Sequence, residues 1–126
     1  TELERGQHRQ LVLCTRVDDT HEKAVEGVRP GHDEFWKFLG PYGWSKGYMG
    51  ADGKPAAPGL IPTLEDSMEQ KTWAVGTAEE VAETISFYDE QLGLENLILF
   101  PAMPGDPYSG VDEQLHRLAE DVLPLV

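Results

Sequence analysis

Trp73-Ala74-Val75-Gly76-Thr77-Ala78-Glu79-Glu80-Val81, read on to Leu92-Gly93-Leu94-Glu95-Asn96-Leu97-Ile98-Leu99-Phe100, is the stretch that decides the fold. The apolar piece Trp73–Val75 is long enough for a short strand and too short for a helix. Thr77 and Glu80 then stand at capping-box spacing, where each side chain can satisfy the other's backbone N–H at a helix start. Val81, Ile85, Tyr88 and Leu92 recur at three- and four-residue intervals, which predicts one apolar stripe, and Gly93 is placed to end the helix. Asn96–Phe100 is apolar almost throughout and predicts a strand buried on both faces. Strand, helix and strand in this order predict a parallel crossover unit.

Upstream, Gln10-Leu-Val-Leu-Cys-Thr-Arg-Val17 is a second apolar, β-branched run that stops at Asp18-Asp19-Thr20. Asp19 and Thr20 can cap a helix over 20–39 carrying Ala24, Val28, Phe35 and Leu39, with a kink or break expected at Arg29-Pro30-Gly31, because proline lacks the N–H and collides with the preceding turn. From Gly40 to Thr72 the periodicity fails across six glycines and four prolines, and only Thr63–Gln70 suggests a turn or two of helix. Unstructured connections beyond about 12–15 residues are seldom kept in compact domains unless they are lids, binding loops or linkers. Downstream, a helix is expected to start near Ser109 or Gly110, with Asp112 and Glu113 in its first turn. Its stripe reads Val111, Leu115, Leu118 and Val122, and it ends at Pro124. The whole order predicts α/β structure with a parallel sheet.

The chain has 126 residues, 40% hydrophobic and 26% charged, which suits one globular core. No apolar run approaches the ~18 residues of a membrane helix, and Thr1-Glu2-Leu3-Glu4-Arg5 has no apolar signal core, so a cytoplasmic protein without membrane partners is expected. The lone Cys14 excludes a disulfide scaffold and a multi-cysteine zinc site. Residues 1–63 hold 8 Lys/Arg against 9 Asp/Glu, whereas residues 64–126 hold 2 against 14. A chain so poor in clustered cations cannot release counterions from phosphates, which excludes nucleic acid and anionic membrane as main partners.

Residue patterns that carry chemistry are few. Gly76-Thr77 at a strand-to-helix turn could cradle a phosphate, but Glu79 and Glu80 already bring negative charge to that helix end, so capping is the favoured reading. His8, His21, His32 and His116 fit no H-E-x-x-H pattern and are expected in solvent, no metal site is expected, and no G-x-S-x-G surrounds a serine. Cys14 lies within a strand and reads as a buried, inert thiol. The residues left for a ligand are the loop aromatics Tyr42, Trp44 and Tyr48, with Phe100 and Met103 at the end of a parallel strand. These form the candidate substrate-binding or lid set, beside the alternatives that the aromatics pin the loop to its scaffold and that Met103 is plain packing.

Val75-Gly-Thr-Ala-Glu-Glu-Val-Ala-Glu83, Leu92-Gly-Leu-Glu-Asn-Leu-Ile-Leu-Phe100, Met103-Pro-Gly105 and Leu118-Ala-Glu-Asp-Val-Leu-Pro124 together resemble the C-terminal end of the bacterial luciferase-like, flavin-dependent monooxygenases. Val17-Asp-Asp-Thr20 and Phe38-Leu-Gly-Pro-Tyr-Gly43 look like the same family's penultimate barrel strand and the insertion after it. Each motif is weak alone, and their order and spacing carry the likeness over most of the chain. The resemblance implies the C-terminal portion of a (β/α)8 TIM barrel, a fold of about 250 residues. Strands 10–17 and 96–100 and helices 77–92 and 110–123 would be its last two of each, and 40–72 would include a lid.

It further implies reduced flavin as cofactor, with FMN favoured and a deazaflavin the open alternative, and O2, a small organic substrate and, where the flavin is reduced elsewhere, a flavin reductase as partners. The family's main flavin contacts and catalytic histidine lie on earlier strands, so no catalytic or flavin-binding residue can be assigned to a position here. Two functions compete: a monooxygenase fragment supplying lid and pocket wall, inactive alone, and a non-catalytic barrel remnant that self-associates. An incomplete barrel leaves open strand edges, so a homo-oligomer or association with the remainder of a barrel is expected.

Overall fold

A computed structural model describes residues 2–43, 52–55 and 60–126. Three parallel strands, β1 (Gln10–Val17), β2 (Trp73–Gly76) and β3 (Asn96–Phe100), form one sheet in the order β2-β1-β3. Between and after them lie α1 (His21–Leu39), α2 (Leu64–Glu69), α3 (Ala78–Leu92) and α4 (Tyr108–Arg117). The α4 helix runs on through a π turn, Leu118–Val122, into a 3-10 turn, Leu123–Leu125. This is the expected α/β class. The chain passes from β1 to its neighbour β2 and then crosses back over β1 to reach β3, so the sheet is wound in both directions.

Strand alternation sorts the core onto two faces, since successive side chains point to opposite sides. Leu13, Val17 and Ala74 face α3 and the chain after α4, packing with Val81, Ala82, Ile85, Leu118 and Val122. Trp73 and Val75 face the other way, onto Ala24 and Val28 of α1, Leu64 of α2 and Met103, with Cys14 against the same cluster. Full burial of one such aliphatic side chain stabilises by about 1.5–3 kcal/mol.

The helix that begins after Gly76 forms as its cap predicts. Thr77 Oγ1 accepts from the Glu80 N–H at 3.3 Å, and a Glu80 carboxylate oxygen accepts from the Thr77 N–H at 2.8 Å. Gly76 sits at φ 153°, where a Cβ would collide with that carboxylate, so only glycine lets Glu80 reach back. The same carboxylate lies 3.1 Å from His21 Nδ1, tying the start of α1 to the start of α3.

Four expectations are corrected. The α1 helix is continuous through Pro30, with Val28, Gly31 and His32 buried on both sides of it. Pro30 is exposed, so the carbonyl deprived of its partner can turn to water while packing holds the helix together. The β3 strand is not buried on both faces: it alternates, with Ile98 40% and Phe100 51% exposed, because α1 reaches over β2 and the end of β1 but not over β3. The α4 helix starts at Tyr108, near the expected place, but Pro107 is its uncapped N-cap and the acidic residues expected in its first turn lie beyond it. Finally, Leu115 is half exposed and Gln114 takes its expected place in the interior.

Candidate functional site

In a parallel sheet all strands point one way, so Val17, Gly76 and Phe100 end at one edge, where side chains from three connections can meet. On the α3 side of this edge is a cavity of about 400 Å³ lined by Asp18, Asp19, Glu79, Glu120, Asp121 and Arg117 among others. Arg117 is committed there: it bonds Asp19 and Glu113 at 3.0 Å each and lies 3.9 Å from Asp18. Its guanidinium holds the Asp19 carboxyl below the usual carboxylate range, and Asp19 in turn raises Arg117. One neutralised cation among five carboxylates makes a mouth that repels anions, phosphate included. Among the described residues, no three His, Cys, Asp or Glu side chains converge to hold a metal.

On the β3 side of the same edge, the strands are staggered. The β1 strand pairs with β3 from Gln10 to Cys14 and with β2 from Cys14 to Val17, so beyond Cys14 its β3 side lacks a strand partner. Gln114 of α4 fills that place. Its side-chain carbonyl accepts from the Val17 N–H and its amide donates to the Val17 carbonyl, both at 2.8 Å, as a neighbouring strand would. Thr15 Oγ1 donates to the Phe100 carbonyl at 3.4 Å in the same gap. Beside it, Met103–Asp106 closes a turn in which the Met103 N–H donates to the Asp106 carboxylate at 2.7 Å, and that carboxylate lies 3.9 Å from Arg16.

The candidate ligand residues do not form one group. Met103 is buried in the α1 core, so close to Gly31 that a Cβ there would overlap its own. Phe100 presents its ring to solvent. Tyr42 lies in a 3-10 turn after α1, 71% exposed, with its ring 5.6 Å from that of Phe38. Trp44 and Tyr48 fall outside the described residues. Burial pushes the Cys14 thiol up to about 11, which leaves no thiolate for chemistry at neutral pH.

A different constellation corrects the expectation of a solvated histidine at position 32. His32, fully buried, has Nε2 2.9 Å from Ser67 Oγ and Nδ1 3.2 Å from the Asp33 carboxylate. Serine, histidine and aspartate thus stand in the order of a nucleophile, base and orienting acid. Ser67 is also fully buried, so no acyl group can reach its hydroxyl, and the arrangement serves structure. Both His32 and Gln114 were legible in principle. His32 continues the interval Ala24, Val28 and Gln114 the interval Val111, Leu118, Val122, so each is a polar residue on an apolar stripe.

No protein-family model matches the chain, and no curated protein matches it.

Proposed function

We propose that this chain is the C-terminal portion of a flavin-dependent monooxygenase barrel of the luciferase-like kind, in which it supplies pocket wall and, through 40–72, a lid. The observation that carries the reading is the apolar strip Val12, Ile98 and Phe100. These residues lie side by side on paired strands, 40–51% exposed, while the opposite face of the same strands is sealed by α3 and the chain after α4. Over the β1–β3 pair this is a barrel's distribution, helices outside and inward side chains free to stack against those of other strands, while α1 and α2 cover the β2 half of the same face and would have to move with the insertion. Direct parallel pairing of β1 with β3 also agrees with their being its last two strands. In a complete barrel the strand before β1 would take the edge that β2 occupies here, so β2 would move with the insertion.

The residues of this chain do not fit a flavin phosphate. The α3 N-terminus is filled by its own capping box and the cavity beside it is lined with carboxylates. The cofactor would be bound by strands outside this chain, and no catalytic step is assigned to residues here. The apolar strip suits a flat ring system or a small organic substrate by burial alone.

The test is to isolate the native polypeptide with an antibody raised against α3, then measure its mass and titrate it with FMN while following flavin fluorescence. A longer chain that quenches FMN at micromolar concentration is expected. A native mass of 14.0 kDa without flavin binding would remove this reading and leave self-association through the strip as the remaining one.

A further inference from the structure

We infer that His32 is a proton-operated latch: its neutral imidazole fastens α2 to α1, and its protonation frees α2. A helix of six residues has no stability of its own in water, so α2 exists by virtue of what holds it. Met68 packs on the α1-side cluster and Thr72 bonds the Ser67 carbonyl from β2's side, and three contacts join α2 to α1 and the core beneath it. Leu64 enters the α1-side core, Arg29 and Glu65 form an exposed ion pair, and Ser67 bonds His32 in the interior. The ion pair is solvated and weak, which leaves the buried histidine as the polar tie between the two helices.

The protonation state follows from the partners. A carboxylate only accepts, so Asp33 fixes the proton on Nδ1, and Nε2 accepts from the Ser67 hydroxyl. Adding a second proton to Nε2 reverses that bond, so that Nε2–H donates to the Ser67 oxygen, and it sets an imidazolium in a site closed to water while α2 is docked. Trp73, whose ring centroid is 4.7 Å away, closes the other side of the imidazole with an uncharged ring. The charged groups that face His32 are Asp33 and Arg29 from α1 and Glu65 from α2, while β2 presents the uncharged Trp73. Burial is the largest influence and lowers the imidazole below its ordinary value, against an opposing pull from Asp33.

The sign follows from the lowered value. Above the ordinary histidine pKa of about 6.5 the imidazole is neutral in both the closed and the open state, and the latch is fully effective. As pH falls below it, the open state takes up a proton that the closed state refuses. The opening equilibrium then rises by up to about tenfold per pH unit until the closed-state pKa is reached.

Amide hydrogen exchange of Ser67 and Gln70, corrected for the intrinsic pH dependence of exchange, reads the opening of α2 directly, with β1 amides as the internal reference. Between pH 7 and pH 5.5 the opening constant should rise several-fold for α2 and stay level for β1. Ser67→Ala should raise α2 opening at pH 7 by about fivefold, the equivalent of one buried hydrogen bond. His32→Gln should leave α2 opening flat across the same range. An α2 opening constant that does not change with pH in the native protein would overturn the latch, and so would an unaltered pH response in His32→Gln. Should His32→Gln fail to fold, the native profile and Ser67→Ala decide the matter by themselves.

Discussion

The two faces of the sheet are built on different principles. The α3 face is closed by aliphatic side chains that strand alternation and helical stripes bring together: Leu13, Val17, Val81, Ile85, Leu118 and Val122. The α1 face mixes Trp73, Met103 and the His32–Ser67 pair with smaller residues, and it stops short of β3. The α3 face derives its cohesion from aliphatic area removed from water. The α1 face also buries apolar area, but it adds a buried histidine–serine pair and leaves Val12, Ile98 and Phe100 partly uncovered.

The sharpest way to break this comparison is to cut the aliphatic face. Ile85→Ala removes a side chain that is 4% exposed within that cluster, and close packing leaves a cavity that neighbours only partly fill. The expected loss is about 2–5 kcal/mol, read from urea unfolding monitored by circular dichroism. A loss below about 1 kcal/mol would mean that this face is not the main source of stability.

This contrast also explains what was legible. Where a residue's type agrees with its place, as in the Thr77–Glu80 capping box, the stripe of α3 and the stop at Gly93, pattern and structure coincide. They part where a polar residue replaces an apolar one on a stripe. Gln114 and not Leu115 lies inside, and His32 is buried where a histidine outside any ligand pattern is expected in solvent. The same limit applies to β3, since an apolar run says that burial is favourable but not that anything arrives to cover it. Of the candidate site, Met103 belongs to the core and Phe100 to the open strip, a division that depends on where α1 stops and that residue types alone do not encode.

Gln114→Glu sharpens the comparison from the polar side. The carboxylate can still accept from the Val17 N–H but can no longer donate to the Val17 carbonyl, leaving one buried acceptor unpaired. At pH 7 the expected cost is at least about 1–3 kcal/mol. A carboxyl introduced there is stabilised in its neutral form, which can donate, so its folded-state pKa is raised. Stability should then be regained as the pH falls toward the ordinary glutamate value of about 4.3. Denaturant midpoints for the native protein and the variant at pH 7 and pH 5 should converge. Equal gaps at both pH values would show that the carbonyl has found another donor.

The smallest effect expected in this chain separates most clearly a sheet that is complete from one that awaits more structure. Ile98 lies on the bare face, 40% exposed, and Ile98→Thr keeps the β-branched shape that suits a strand. With no packed interior to disturb, the isolated chain should lose no more than about 0.5 kcal/mol, the range of surface substitutions. If the strip faces the interior of a barrel, the same hydroxyl in the longer native polypeptide enters a packed layer of side chains without a partner. There it should cost about 1–3 kcal/mol. Thermal unfolding of both forms, each with and without Ile98→Thr, gives the four values needed. A cost that is small in both would show that nothing covers the strip and that the open half of this face is the finished surface of the protein. A cost already large in the isolated chain, and rising with protein concentration, would instead place a second copy over it.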